Sequence, residues 1–328
     1  MEVARSRRRA FKGFVPRGSA LVEGVVSAAE QEIVDCNLCG SDRHRPLYII
    51  QGSQVVRCTN CGLVFLNPRL VPSRLTAIYE SEGYYRRSQT EEGPPRGYAD
   101  YLSLRDHLRF VADEVLRPLK GMTPGKVLDV GCSMGIVLDR FREHGWQPYG
   151  VDVSPYATDH ARRELGITVF TGTVEQVDLP SESLDLITML LTVEHLSDPK
   201  SVLRDLNNVL KPGGVLVVGT HDIEGFWPRI VGPRWRHFEM PEHVYLFSRR
   251  TLTRMLAEVG LETFRVTETA TLAAVTSARD GGVGLYAPVH LLRRTGLFPF
   301  AAPLLRTFHE LMRRLDWSDG VTTYSRKI

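Results

Sequence analysis

Beyond residue 125, apolar and polar positions follow a regular alternation of two periods. Short apolar runs, read as strands, fall at Lys126–Val130, Tyr149–Val153, Ile167–Phe170, Leu184–Leu191 and Val215–Gly219. Between them lie stretches with apolar residues three or four apart, the period of a helix with one buried face. The punctuation agrees with this pattern. Helices are expected over Ile136–His144, closed by Gly145, and from the cap Ser154 with Pro155 at its first position to Gly166. Asp198-Pro199 opens another, ending at Lys211-Pro212-Gly213-Gly214, and Ser248 caps one that runs to Val259. Glu262–Thr267 and Val321–Lys327 supply two more strands. Such alternation predicts an α/β fold with a doubly wound, mostly parallel sheet covered by helices on both faces.

The first 120 residues are patterned differently. Residues 1–30 carry Arg5, Arg7, Arg8, Arg9, Lys12 and Arg17 and read as a disordered basic arm. Residues 31–68 form a small module ending in the strand-like Gly62–Leu66, stopped by Asn67-Pro68. Residues 69–120 read as a helical linker or substrate cap. Within it a short helix spans Pro72–Glu80, Thr90–Gly97 is a polar break, and Tyr98–Leu119 is a long amphipathic helix. Residues 121–328 are the main domain. Its segment from Ala270 to Trp317 is rich in apolar residues and is expected to be a helical insertion at about 270–317 covering the site, with membrane-surface contact through 285–312 as the alternative.

Composition narrows the class without choosing a chemistry. A chain of 328 residues with 43% hydrophobic and 24% charged residues fits one large core plus a smaller module. The net charge of +3 does not by itself imply nucleic-acid binding. No run is long enough to span a bilayer, and the N-terminus lacks the apolar core of a secretory signal, so a cytoplasmic protein is expected. Oligomeric state is not encoded in any of these features.

Four of the five cysteines fall in two pairs, Cys36-Asn-Leu-Cys39-Gly and Cys58-Thr-Asn-Cys61-Gly. This is the spacing of a zinc ribbon, and four thiolates close a tetrahedral site with no open position. A structural Zn2+ is therefore expected, the alternative being disulfides or free thiols. Cys132 is read as a packing residue.

Strand, glycine turn and helix meet at Val127–Gly135, a shape shared by three chemistries. The nicotinamide fingerprint G-x-G-x-x-G fits poorly, because Ser133 and Ile136 stand where glycines belong. Gly131-Cys132-Ser133-Met134-Gly135 does satisfy G-x-S-x-G, which would make Ser133 the nucleophile of a serine hydrolase. That elbow needs several strands of the same sheet before it, and the preceding hundred residues supply a cysteine module and helices instead.

The third chemistry also uses the acids. Asp129 before the turn, Gly131, Ser133 and Gly135 within it, and Asp152 at the end of the next strand resemble the class I S-adenosylmethionine-dependent methyltransferases. The resemblance implies a seven-stranded Rossmann-like methyltransferase sheet with a small N-terminal zinc ribbon, and S-adenosyl-L-methionine as cofactor. It assigns Asp129 to the turn and the methionine ammonium, Asp152 to the ribose hydroxyls, and Thr173 and Val174 to adenine, with Leu190 at the end of the fourth strand. Val193–Pro199 and Leu210–Gly214 are further family landmarks, and the resemblance covers roughly residues 120–270 plus the last strand.

The ribbon, the pair Tyr84-Tyr85 and the segment Pro241–Ser248 look like zinc-containing sugar and natural-product methyltransferases. In the sugar enzymes a Glu-His pair serves catalysis, and Glu242-His243 matches it, although Pro241 precedes the pair here. The reading is a small-molecule O- or C-methyltransferase in which His243 is the general base, Glu242 orients it, and His195 stands at the rim of the sheet. Tyr84 and Tyr85 are expected at the substrate. No Asn/Asp-Pro-Pro-Tyr string follows the fourth strand and no Pro-Cys pair occurs, which disfavours methylation of nucleobases. An RNA methyltransferase gripping nucleic acid through the ribbon is the rival, but only Arg43, His44, Arg45 and Arg57 are cationic between Cys39 and Cys58, and no stable nucleic-acid partner is expected.

Overall fold

The computed structural model describes residues 30–80, 82–85, 100–268 and 319–328. The basic arm up to residue 29, the break at 90–97 and the expected insertion at 270–317 lie outside the described residues.

The N-terminal module contains β1 (Gln31–Glu32), β2 (His44–Ile50), β3 (Ser53–Cys58), β4 (Val64–Leu66) and β5 (Arg69–Leu70). The cysteine pairs occupy the turns, where Gly40 N–H donates to the Cys36 carbonyl and Gly62 N–H to the Cys58 carbonyl. Then come α1 (Pro72–Ala77) and α2 (Arg105–Leu116). The long helix expected over Tyr98–Leu119 is shorter within the described residues. Asp100 caps a 3-10 turn over Tyr101–Leu104 by accepting from Leu102 N–H, and the chain tightens again at Arg117–Leu119. Pro118 lacks the N–H that an α-helix needs there.

The main domain alternates β6 (Lys126–Val130), α3 (Ile136–Glu143), β7 (Gln147–Asp152), α4 (Pro155–Leu165), β8 (Thr168–Thr171), β9 (Leu184–Leu190), α5 (Pro199–Val209) and β10 (Leu210–His221). It continues with α6 (Phe226–Val231), β11 (Tyr245–Leu246), α7 (Arg249–Glu258), β12 (Leu261–Glu268) and β13 (Gly320–Lys327). Seven strands run in the order β12-β13-β10-β9-β6-β7-β8. The five from β10 to β8 pair in parallel, and β13 is antiparallel to both neighbours. The strand expected at Val215–Gly219 is longer, because the Lys211–Gly214 turn is absorbed into β10 as a register shift between Leu210 and Val215.

Chain order reverses between β6 and β9, since β7 and β8 lie on one side of β6 and β9 and β10 on the other. A crevice at the C-terminal strand ends is the consequence. Packing joins the cysteine module to this sheet. One apolar cluster includes Leu38, Leu63 and Phe65 of the module, Tyr245 and Phe247, and Leu203, Leu206 and Leu256 of the helices. Burying each leucine is worth about 1.5–3 kcal/mol, so the module shares the domain's core. Asn37 Nδ2 donates to Asp198 Oδ1 at 2.8 Å, and Lys200 Nζ donates to the Leu38 carbonyl at 2.9 Å, docking the first knuckle on the start of α5. β11 pairs with β4 (Tyr245 opposite Phe65, Leu246 opposite Val64), so the strand just after His243 belongs to the module's sheet.

Candidate active site and cysteine centre

The turn after β6 is built for close approach. Gly131 has φ +78°, and a Cβ there would collide with the Thr192 side chain. Ser133 N–H donates to Asp152 Oδ2 at 2.8 Å, and Ser154 N–H donates to Asp152 Oδ1 at 2.9 Å. Thr188 of β9 donates to Asp129 Oδ1 at 2.6 Å. Asp129 is only 3% exposed. Burial pushes it up to about 7, with the Asp152 charge adding to the rise and the Thr188 bond opposing it. Burial also raises Asp152 against the bonds from Ser154, Ser133 and Tyr85.

These groups line a cavity of about 330 Å³. Among the described residues five carboxyl groups face it (Asp129, Asp152, Glu175, Glu194 and Glu239) and no lysine or arginine does. Such a cavity is matched to a cationic occupant. S-adenosylmethionine, which carries an ammonium and a sulfonium, fits this donor set, and the Ser133 hydroxyl is buried there with no partner among the described residues.

The same cavity is also lined by a histidine cluster. His243 Nδ1 donates to the His237 carbonyl at 2.8 Å. His195 Nδ1 lies 3.0 Å from the Glu242 carbonyl and 2.8 Å from the Tyr79 hydroxyl. A carbonyl only accepts, so in both rings Nδ1 carries the proton and Nε2 keeps its lone pair. The two ring centroids are 4.7 Å apart. His221 stacks on His237 at 3.6 Å, and His237 Nε2 approaches Asp319 Oδ2 at 3.5 Å. Burial holds His243 down at about 4. Burial and the neighbouring His243 hold His195 down at about 3, so both imidazoles are neutral at ordinary pH.

The structure brings most of the expected residues together. Asp129, Gly131, Ser133, Asp152, Thr173, Val174, Leu190, Tyr84, Tyr85, His195 and His243 all line the cavity. Two placements differ from the sequence reading. Gly135 lies outside the lining, at the N-terminus of α3, where a Cβ would press on Ala161. The partner of His243 Nδ1 is the His237 carbonyl rather than Glu242, whose own carbonyl holds His195 instead. Ser133 makes no hydrogen bond to a base, as a hydrolase nucleophile would. Sequence reasoning missed Tyr79, Glu194, His221, His237 and Asp319. Only Glu194 carried a local signal, its place beside His195.

Of the cysteines, Cys36 Sγ lies 3.4 Å from Cys61 Sγ and Cys39 Sγ 3.6 Å from Cys58 Sγ, with all four sulfurs within 4.8 Å of one another. None is in a disulfide. Sulfurs at about 2.3 Å from a tetrahedral zinc are about 3.8 Å apart, so the set fits that ion.

Comparison with known proteins agrees with this geometry. The profile of the family described as "Methyltransferase domain" matches residues 100–266. A ubiquinone biosynthesis O-methyltransferase from Azorhizobium caulinodans is 30% identical over 164 residues, covering 47% of this chain and 63% of that protein. The enzyme of the same name from Dinoroseobacter shibae is 30% identical over 185 residues, covering 50% of this chain and 69% of its own length. In fold, the chain is similar to geranyl diphosphate C-methyltransferase from Streptomyces coelicolor, with a TM-score of 0.50, 16% identity and coverage of 79% and 99%.

Proposed function

The chain belongs to the class I S-adenosylmethionine-dependent methyltransferases, and from this premise we propose that it methylates a small-molecule acceptor. The acceptor is a sugar or another natural-product or polysaccharide intermediate, methylated on oxygen or on an acidic carbon. The observation that carries the reading is that one cavity joins the Asp129–Asp152 pair to the His195–His243 pair.

Asp152, Asp129, Gly131, Thr173 and Val174 hold the cofactor. Each oxygen of Asp152 already accepts one backbone N–H and retains capacity for a ribose hydroxyl. Bound there, S-adenosylmethionine supplies an electrophilic methyl group on a positively charged sulfur. Tyr84 walls the acceptor side, while Tyr85, whose hydroxyl donates to Asp152 Oδ1 at 3.5 Å, stands where cofactor and acceptor meet. His243 takes the acceptor's proton at Nε2, because its Nδ1 proton is already committed to the His237 carbonyl. His195 stands beside it, its ring oriented by Tyr79 and the Glu242 carbonyl.

Residues 31–68 form a zinc ribbon in this reading, residues 69–120 a cap over the acceptor, and residues 121–328 the cofactor-binding domain. Zinc is structural, held by Cys36, Cys39, Cys58 and Cys61, and it stiffens the sheet to which β11 belongs.

The test is methyl transfer from labelled S-adenosylmethionine to a panel of hydroxylated small molecules and nucleotide sugars, with tRNA and rRNA as controls. Labelling of a small acceptor that His243→Ala abolishes, with cofactor affinity retained, is expected. Labelling of RNA alone would overturn it.

A further inference from the structure

Glu194 has no role in the reaction proposed above, yet it is the least satisfied acid in the cavity. It sits in the turn after β9, 2% exposed. Among the described residues neither carboxylate oxygen has a hydrogen bond of normal geometry, and only the Thr220 hydroxyl and its own backbone N–H lean toward it. An unpartnered buried carboxylate costs several kcal/mol unless a proton or a cation compensates it. A Glu194 oxygen and one ring nitrogen each from His195 and His243 lie within 4.8 Å of one another. Both imidazoles have Nδ1 engaged by a backbone carbonyl, the second-sphere arrangement that fixes the ring of a metal-ligating histidine and leaves Nε2 to coordinate. Three groups able to ligate a metal thus converge, and Glu239 adds negative charge beside Glu194 in a cavity that no lysine or arginine lines among the described residues.

We propose that Glu194, His195 and His243 form a second metal site, for a divalent first-row transition cation, distinct from the cysteine centre. Two imidazoles and one carboxylate suit such a cation better than Mg2+ or Ca2+, which prefer oxygen-only ligands. Three protein ligands leave positions open to the cavity, as in a site that meets a substrate. The inference rests on the proposed function and deepens it. With Nε2 of His243 on the cation, that nitrogen does not take the acceptor's proton; the positive charge favours the deprotonated acceptor oxygen, whose proton passes to solvent.

The test titrates the purified full-length protein with Co2+ alone, following visible absorbance and the metal retained after desalting. Wild type is expected to take up one cobalt equivalent whose spectrum lacks the sulfur-to-metal charge-transfer band of a thiolate site. Glu194→Gln should weaken that uptake at least tenfold while S-adenosylmethionine affinity, measured on the same sample, shows the variant folded. Wild-type protein that takes up no cobalt outside the cysteine centre overturns the proposal without recourse to any variant. Turnover separates the two readings. If protein shown free of cation outside the cysteines keeps full activity that His243→Ala removes, the imidazole is the base and the second site falls alone. If His243→Ala is also fully active, the proposed function of this pair falls with it.

Discussion

Ser133 N–H and Asp152 Oδ2 are joined by a 2.8 Å hydrogen bond that ties the glycine turn after β6 to the end of β7. The turn and the acid are therefore one structural unit, and neither can move without the other. With Ser154 N–H on the second oxygen, the carboxylate is locked before any ligand arrives.

Asp152→Asn is expected to weaken S-adenosylmethionine binding by roughly 10- to 100-fold, the scale of a lost charge-assisted hydrogen bond. An amide nitrogen would also face one of the two backbone N–H groups, donor against donor. Calorimetric titration checks this, and unchanged affinity would remove Asp152 from the cofactor site.

Gly131→Ala should lower stability by about 1–3 kcal/mol and abolish cofactor binding, since φ is +78° and the methyl runs into Thr192. Gly166→Ala is the control. Its φ is +62°, but nothing lies within 4 Å of the added carbon, so only backbone strain is expected and cofactor affinity should persist. Equal loss of binding in both would refute the close-approach argument.

Asp129 links the cofactor to pH. With its carboxyl held up at about 7 in the folded chain and near 4 when unfolded, the folded state binds more protons between those values. This residue's contribution to stability therefore declines as pH rises from about 4 to about 7. A cationic cofactor favours the ionised form, so binding near pH 6 should release a proton. Binding enthalpies measured in buffers of different ionisation enthalpy should differ for wild type, and the difference should shrink in Asp129→Asn. No buffer dependence in wild type would contradict it.

Cys58→Ser, or chelation of the cysteine centre, should remove one equivalent of zinc and lower turnover more than cofactor affinity. The link is the pairing of β4 with β11, which begins two residues after His243. Metal analysis and kcat together test this; zinc-free protein with wild-type turnover would show that the module does not hold the histidine loop.

The sequence by itself determined the parts whose information is local. A strand with a glycine turn at Lys126–Gly135, the Ser154 and Ser248 caps and the cysteine knuckles each depend on residues a few positions apart. The acids followed from the same register, because Asp129 and Asp152 sit at fixed places on adjacent strands. Tertiary structure alone decided the other half of the site. His195, His237 and His243 come from separate turns, Tyr79 arrives from a residue beyond α1, and Asp319 from the C-terminal segment. The order of strands in the sheet sets their convergence, and no short-range pattern encodes that order. The same holds for β11, where the short apolar run Val244–Phe247 does not say which sheet it joins and pairs only because folding brings β4 beside it. Gly135 shows the converse limit, since a motif position in the turn became a packing contact against α4 once the helices were docked.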